Sequence, residues 1–148
     1  MNENLLEIAG SFAGVGVNHD QEEFTGRMTL LPHLGRRGAS LAFTAVGAND
    51  EVYHDERTLV GFNAQGELCL VSTSNNTGGL LHYRLADRAD SRWIFQFGDV
   101  ADKTAFRETR ELRVHQNGDV TYRFSWGLPG GPFQERSVVR MSRVSEQA

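Results

Sequence analysis

Side chains of a β-strand change face at every residue, and apolar and polar residues alternate at that period along almost all of this chain. The clearest case is "TYRFSWG", which puts Tyr122, Phe124 and Trp126 on one face and Arg123 and Ser125 on the other. An apolar stripe of helical period occurs only from Asn4 to Ile8, so the pattern predicts an all-β protein with one short N-terminal helical turn. Ten strands are expected: 11–19, 24–33, 39–48, 51–61, 67–74, 79–87, 91–98, 105–116, 119–127 and 133–144. The breaks carry turn chemistry in "GAND" (47–50), "NAQG" (63–66), "NNTGG" (75–79) and "QNGD" (116–119). Asn117-Gly118 between two alternating runs is the strongest hairpin signal and predicts a type I′ turn, with positive φ at both residues.

Short connections make successive strands neighbours, which gives an antiparallel meander. Ten twisted strands curl until the first meets the last, and closure removes both exposed edges. The expected fold is a ten-stranded, up-and-down β-barrel. A two-sheet sandwich would require longer crossovers than the sequence offers. At 148 residues the chain fits one core, so residues 1–148 are expected to form a single domain.

A net charge of −4, with the basic residues dispersed, argues against nucleic acid as a partner. No apolar run approaches the roughly 20 residues of a membrane span. "MNENLLEIAGSF" has neither the basic nor the apolar region of a secretory signal, so the cytoplasm is the expected location. A lone Cys69, within "ELCLV", has no partner for an internal disulfide and is expected to be buried as a small hydrophobe.

The first strand, "GSFAGVGV", resembles the opening of a calycin barrel, with Gly10 and Phe12 where that superfamily usually has Gly-x-Trp. Together with the strand count, "AGVGVNH", "YHDE" and the closing "FQERSVVRM", it is similar to the nitrobindin-like, fatty-acid-binding-protein-like (lipocalin-like) branch. The resemblance implies an arginine of the last strand packed over the opening aromatic, here Arg136 or Arg140 over Phe12. Haem-binding relatives use a histidine on the closing strand; Phe133-Gln134-Glu135-Arg136 offers none, so haem held that way is not expected and any cofactor is unknown. Independently of family, Gly14 and Gly16 share a face with Phe12, which lets the strand bend or another group lie close to its backbone.

His19, His33, His54, His82 and His115 show no paired metal-ligand spacing, and no metal site is expected. "YHDE" is the densest cluster of ligand-type side chains; alternation places His54 and Glu56 on one face, Tyr53 and Asp55 on the other. No nucleophile motif occurs, and no catalytic residue is assigned.

More telling are charges on faces that alternation turns inward. Glu108 and Arg110 share a face with Phe106, Leu112 and Val114; Glu135 and Ser137 share one with Phe133, Val139 and Met141. Such groups are costly in a dry core unless paired or solvated, and a wet cavity would accommodate them. A bulge that shifts the phase, or a place at the barrel mouth, would turn Glu108 and Arg110 to solvent instead. The expected function is binding of a small, mainly apolar ligand with a polar or anionic head. The candidate residues are the aromatic row Tyr122, Phe124 and Trp126, with Arg110 as anion anchor and Tyr83, His54, Glu108 and Glu135 as further polar contacts. Anchoring of this kind is also what the resemblance to fatty-acid-binding-like barrels implies. Trp93, Phe95 and Phe97 form a second aromatic row, and Pro129 with Gly127, Gly130 and Gly131 a rim loop that gates the entrance or turns the chain. Two alternatives stay open: a small barrel hydrolase or isomerase using Glu108, Glu135 or His54, and a non-catalytic interaction module, such as a homodimer.

Overall fold

The computed structural model describes residues 4–33, 35 and 37–145. Ten strands follow one another as β1 (Gly10–Asn18), β2 (Glu23–Pro32), β3 (Gly38–Val46), β4 (Val52–Phe62), β5 (Leu68–Ser74), β6 (Thr77–Ala89), β7 (Arg92–Phe97), β8 (Arg107–Val114), β9 (Val120–Gly127) and β10 (Gln134–Arg143). Each pairs antiparallel with the next, and β1 pairs with β10 to close the barrel. Short 3-10 turns occupy Leu5–Glu7 and Ala48–Asp50. Among the described residues no helix is long and apolar enough to cross a membrane.

The closing seam depends on Gly14. A Cβ built there would lie 2.1 Å from the Arg140 carbonyl oxygen, so a side chain cannot coexist with β10 at this distance. This is the close backbone approach that the glycine pattern of the first strand allows.

Turns depart from expectation in detail. The 115–119 hairpin forms, but Gly118 N–H donates to His115 O (2.9 Å) and only Gly118 has positive φ. It is thus a type I turn closed by a left-handed glycine, with the bulge that such three-residue loops carry, and not type I′. The β5–β6 connection is Asn75-Asn76 alone, with Ser74 opposite Thr77, so β6 begins before the two glycines expected to belong to the turn. β8 begins at Arg107 rather than 105, because Asp99 and Asp102 accept backbone N–H groups from Ala101 and Thr104 and hold the preceding segment as a loop.

Side-chain parity decides which residues meet inside. β8 runs in unbroken register with both neighbours, so Glu108, Arg110 and Leu112 all face inward. In β10 the register shifts between Glu135 and Ser137. Ser137, Val139 and Met141 oppose Phe124, Tyr122 and Val120, whereas Glu135 opposes Ser125 and is turned outward. The expected inward Glu135 is corrected: it lies outside the barrel, paired with Arg123 Nε at 2.6 Å. Cys69 likewise lies between inward Leu68 and Leu70, so it is half-buried on the outer face, with burial first and then Glu67 raising its thiol pKa.

The barrel interior is graded along its axis. At the end where β1 starts, Leu5 and Leu6 of the N-terminal turn are buried together with Phe12, Met28, Leu30, Leu41, Trp93, Phe95 and Met141. The Asn4 side chain caps that turn by accepting the Leu6 N–H at 3.1 Å. The opposite end, where β1 finishes, carries the polar and open parts.

Candidate functional site

Halfway along the axis the inward positions of β4, β5, β6, β8 and β9 place Glu56, Thr58, Ser72, Tyr83, Glu108, Arg110 and Tyr122 in one buried cluster. Arg110, 1% exposed, is its centre. Its Nη1 donates to Glu56 Oε2 (2.9 Å) and Ser72 Oγ (2.7 Å), its Nε to Glu108 Oε1 (2.9 Å), and its Nη2 to Tyr83 OH (3.0 Å). The guanidinium also packs over the Tyr83 ring, 4.4 Å from its centroid. Tyr122 OH and Thr58 Oγ1 donate to Glu56 Oε2 at 2.9 and 2.5 Å, and Tyr83 OH donates to Glu108 Oε1.

Taking an ion pair out of water is costly unless hydrogen bonds satisfy the remaining donors and lone pairs, and here they nearly do. Burial pulls the Glu56 carboxyl upward, but the Arg110 charge and hydrogen bonds from His54 and Thr58 overcome it and hold the pKa at about 2. Burial likewise works against the Arg110 cation, yet Glu56, Tyr122 and Glu108 raise its pKa well above the ordinary arginine value. Burial and then Glu56 raise the Tyr122 phenol. Burial, opposed by Arg110 but reinforced by Glu108, raises that of Tyr83. Both phenols therefore stay protonated and act as donors.

Above this layer a cavity of about 330 Å³ opens at the barrel mouth. Its apolar walls are Phe24, Phe43, Phe106, Phe124 and Trp126, and its polar lining includes His19, His54, Asn76, Glu108 and Arg136. The aromatic rings support one another: Phe43 meets Phe124 at 5.8 Å between centroids and His54 meets Phe124 at 5.0 Å. Asn76 Nδ2 donates both to Tyr53 O (2.8 Å) and to His54 Nδ1 (2.9 Å), which fixes the tautomer. The His54 proton is then on Nε2, which donates to Glu56 Oε1 at 3.1 Å. Both ring nitrogens are engaged.

The expected residues divide into three groups. His54, Glu108, Phe124 and Trp126 line the cavity. Arg110, Tyr83 and Tyr122 belong to the buried layer beneath it, and the Phe124 ring, 5.2 Å from Arg110 Cζ, lies between that cation and the opening. Glu135 belongs to neither. Trp93 and Phe95 are packed in the apolar core.

Several contributors went unassigned in the sequence. Glu56 shares a face with His54, but nothing local says that this face meets Arg110, 54 residues away. Phe24 and Phe43 alternate correctly in β2 and β3 yet look like any core phenylalanine. Arg136 stacks over Trp126 at 4.1 Å, and the arginine over Phe12 is Arg143, at 4.9 Å, rather than Arg136 or Arg140. Arg140 instead pairs with Asp119 at 3.0 Å. The rim loop is clamped from below: buried Arg107 donates to Leu128 O and Gly131 O, both at 2.9 Å. Among the described residues no three or more His, Cys, Asp or Glu side chains gather in a metal-binding group.

No protein-family model and no curated protein matches the chain. Among solved structures, that of Rv2717c from M. tuberculosis is similar over 93% of this chain and 93% of its own, at TM-score 0.67 and 15% identity. A redesigned β-barrel, mFAP0, bound to DFHBI, is similar over 92% of this chain and 98% of its own, at TM-score 0.51 and 10% identity. EF1p2_mFAP2b bound to DFHBI matches over 93% and 94%, at TM-score 0.51 and 7% identity. What this chain shares with them is the fold, a closed antiparallel β-barrel.

Proposed function

We propose that this protein binds one small, mainly apolar molecule at the open end of its barrel, with the aromatic rings as walls and a polar end directed toward Glu108. The observation that carries this reading is the aromatic-walled cavity of about 330 Å³ seated on a buried polar layer. That volume lies at the small end of ligand pockets, which span about 300–1,000 Å³, and suits a compound of one or two rings. In keeping with it, a redesigned barrel of like fold is bound to DFHBI. Arg110 acts here through Glu108, which it orients, because each of its three nitrogens already donates to a protein acceptor and it does not itself line the cavity.

Binding is favoured over turnover by the state of the candidate proton carriers. His54 has both nitrogens engaged, Glu135 lies outside the barrel, and Glu108, which does line the cavity, is held in an ion pair by Arg110 and accepts from Tyr83. Calycin kinship is part of the same proposal, supported by Gly10 and Phe12 at the opening and by Arg143 over the Phe12 ring.

Native mass spectrometry against a panel of one- and two-ring compounds, with carboxylate, hydroxyl, amine and unsubstituted forms, tests the reading. The expected result is a one-to-one complex with at least one compound, weakened about tenfold by Trp126→Ala through loss of an aromatic wall. Absence of any complex, or equal binding by Trp126→Ala, refutes it.

A further inference from the structure

The buried layer is short of donors at one atom. Glu108 is 5% exposed and lines the cavity. Its Oε1 accepts from Arg110 Nε and Tyr83 OH, whereas its Oε2 accepts from none of the described residues. Every other oxygen of the two carboxylates is bonded: Glu56 Oε1 by His54 and Tyr122, Glu56 Oε2 by Arg110, Thr58 and Tyr122. Formal charge tells the same story, since two carboxylates face a single guanidinium in this layer. That oxygen is not sealed inside the protein but opens onto the cavity, so it is the one carboxylate oxygen of the layer with a free acceptor site that an incoming donor can reach.

Resting on the reading of the cavity as a ligand site, we propose that its ligand is an arylalkyl amine or an amidine whose cationic nitrogen donates to Glu108 Oε2, the rings lying among Phe24, Phe43, Phe106, Phe124 and Trp126. The sign of the head group follows from what surrounds it. An anion beside Oε2 would meet a second negative charge at close range; Arg110 already donates from each of its nitrogens to protein acceptors, and Arg136, the guanidinium that does line the cavity, is turned to Trp126 O and Pro132 O. The ring faces add to the preference, because the negative faces of stacked aromatics attract a cation and not a carboxylate. Water can also donate to Oε2, and it is the competitor that a cationic head displaces while the rings displace the rest.

Three probes with one ring system and different heads separate the possibilities: 2-naphthylmethylamine, 2-naphthylmethanol and 2-naphthylacetate, each titrated calorimetrically at neutral pH. A charge-assisted hydrogen bond to a buried carboxylate predicts that the amine binds about tenfold or more tightly than the acetate, with the alcohol between them. In Glu108→Gln the amine-to-acetate ratio falls toward unity. If that variant does not fold, the ratio in the unaltered protein decides alone. Equal affinities, or an acetate tighter than the amine, overturn the cationic head while leaving the aromatic cavity in place. If none of the three binds up to its solubility, the cavity reading fails as well.

Discussion

Deleting the Arg110 guanidinium while keeping its acceptors would strand Glu56 and Glu108 in the barrel interior. Arg110→Met is therefore expected to cost about 3–5 kcal/mol, as measured by chemical denaturation, even though methionine fills a similar volume. A cost below about 1 kcal/mol would mean that the carboxylates find water or protons cheaply, and the layer would not be the dry network described. Glu56 makes a complementary test through pH. Its folded pKa of about 2 lies below the ordinary glutamate value of 4.5, so the folded state holds this proton less tightly than the unfolded one. The corresponding stability, on the order of 3 kcal/mol, is complete above the unfolded value and is lost as pH falls from 4.5 toward 2. Denaturation midpoints of the unaltered protein and Glu56→Gln should therefore be far apart at pH 7 and converge as acid is added through that window. A separation that stays constant down to pH 2.5 contradicts the assignment. The inward aim of Arg110 and Glu108 was legible, because two-residue parity along Glu108 to Val114 survives in an unbroken ladder. Their pairing with Glu56 was not, since it depends on which layer of the barrel each strand delivers, and that is set by register across many strands.

At the scale of elements, alternation located all ten strands but failed where one strand carries an extra residue. The bulge between Glu135 and Ser137 reverses parity within β10, and no turn residue or proline in "FQERSVV" announces it. Two glycines mark places where one element must approach another. Gly14 admits the β10 backbone at the seam, and Gly127 leaves room for the Arg107 head: a Cβ there would lie 2.6 Å from Arg107 Cζ. Arg107 is buried and bonded to Leu128 O and Gly131 O, so it cannot move aside without releasing the rim loop. Gly127→Ala is expected to destabilise the protein by about 1–3 kcal/mol, by overpacking. It should also speed amide exchange at Gly130 and Gly131, whose N–H groups now donate to Lys103 O and Leu128 O. Unchanged exchange at those amides would show that the loop holds its shape without the clamp.

Over the whole molecule, a packed apolar end and an open aromatic cavity occupy opposite ends of one barrel, with the Arg110 layer between them. Leu6 is fully buried at the end sealed by the N-terminal turn, whereas Phe24, Phe43 and Trp126 surround the opening. Truncating a buried leucine leaves a hole among close-packed neighbours, so Leu6→Ala should cost about 2–5 kcal/mol. The hole lies on the far side of a hydrogen-bonded layer whose geometry is set by β4, β5, β6, β8 and β9, so the affinity of a bound aromatic probe should change less than about twofold while the protein remains folded. Trp126→Ala should behave in the opposite way. Its ring is only partly buried and faces the cavity, so its loss lowers stability less than Leu6→Ala does but weakens the same probe about tenfold. Thermal unfolding and probe titration on both variants give four numbers that must fall in that crossed arrangement. If Leu6→Ala loosened the probe as much as Trp126→Ala, the polar layer would be transmitting changes from the sealed end, and the two halves of the barrel would have to be treated as one cooperative site.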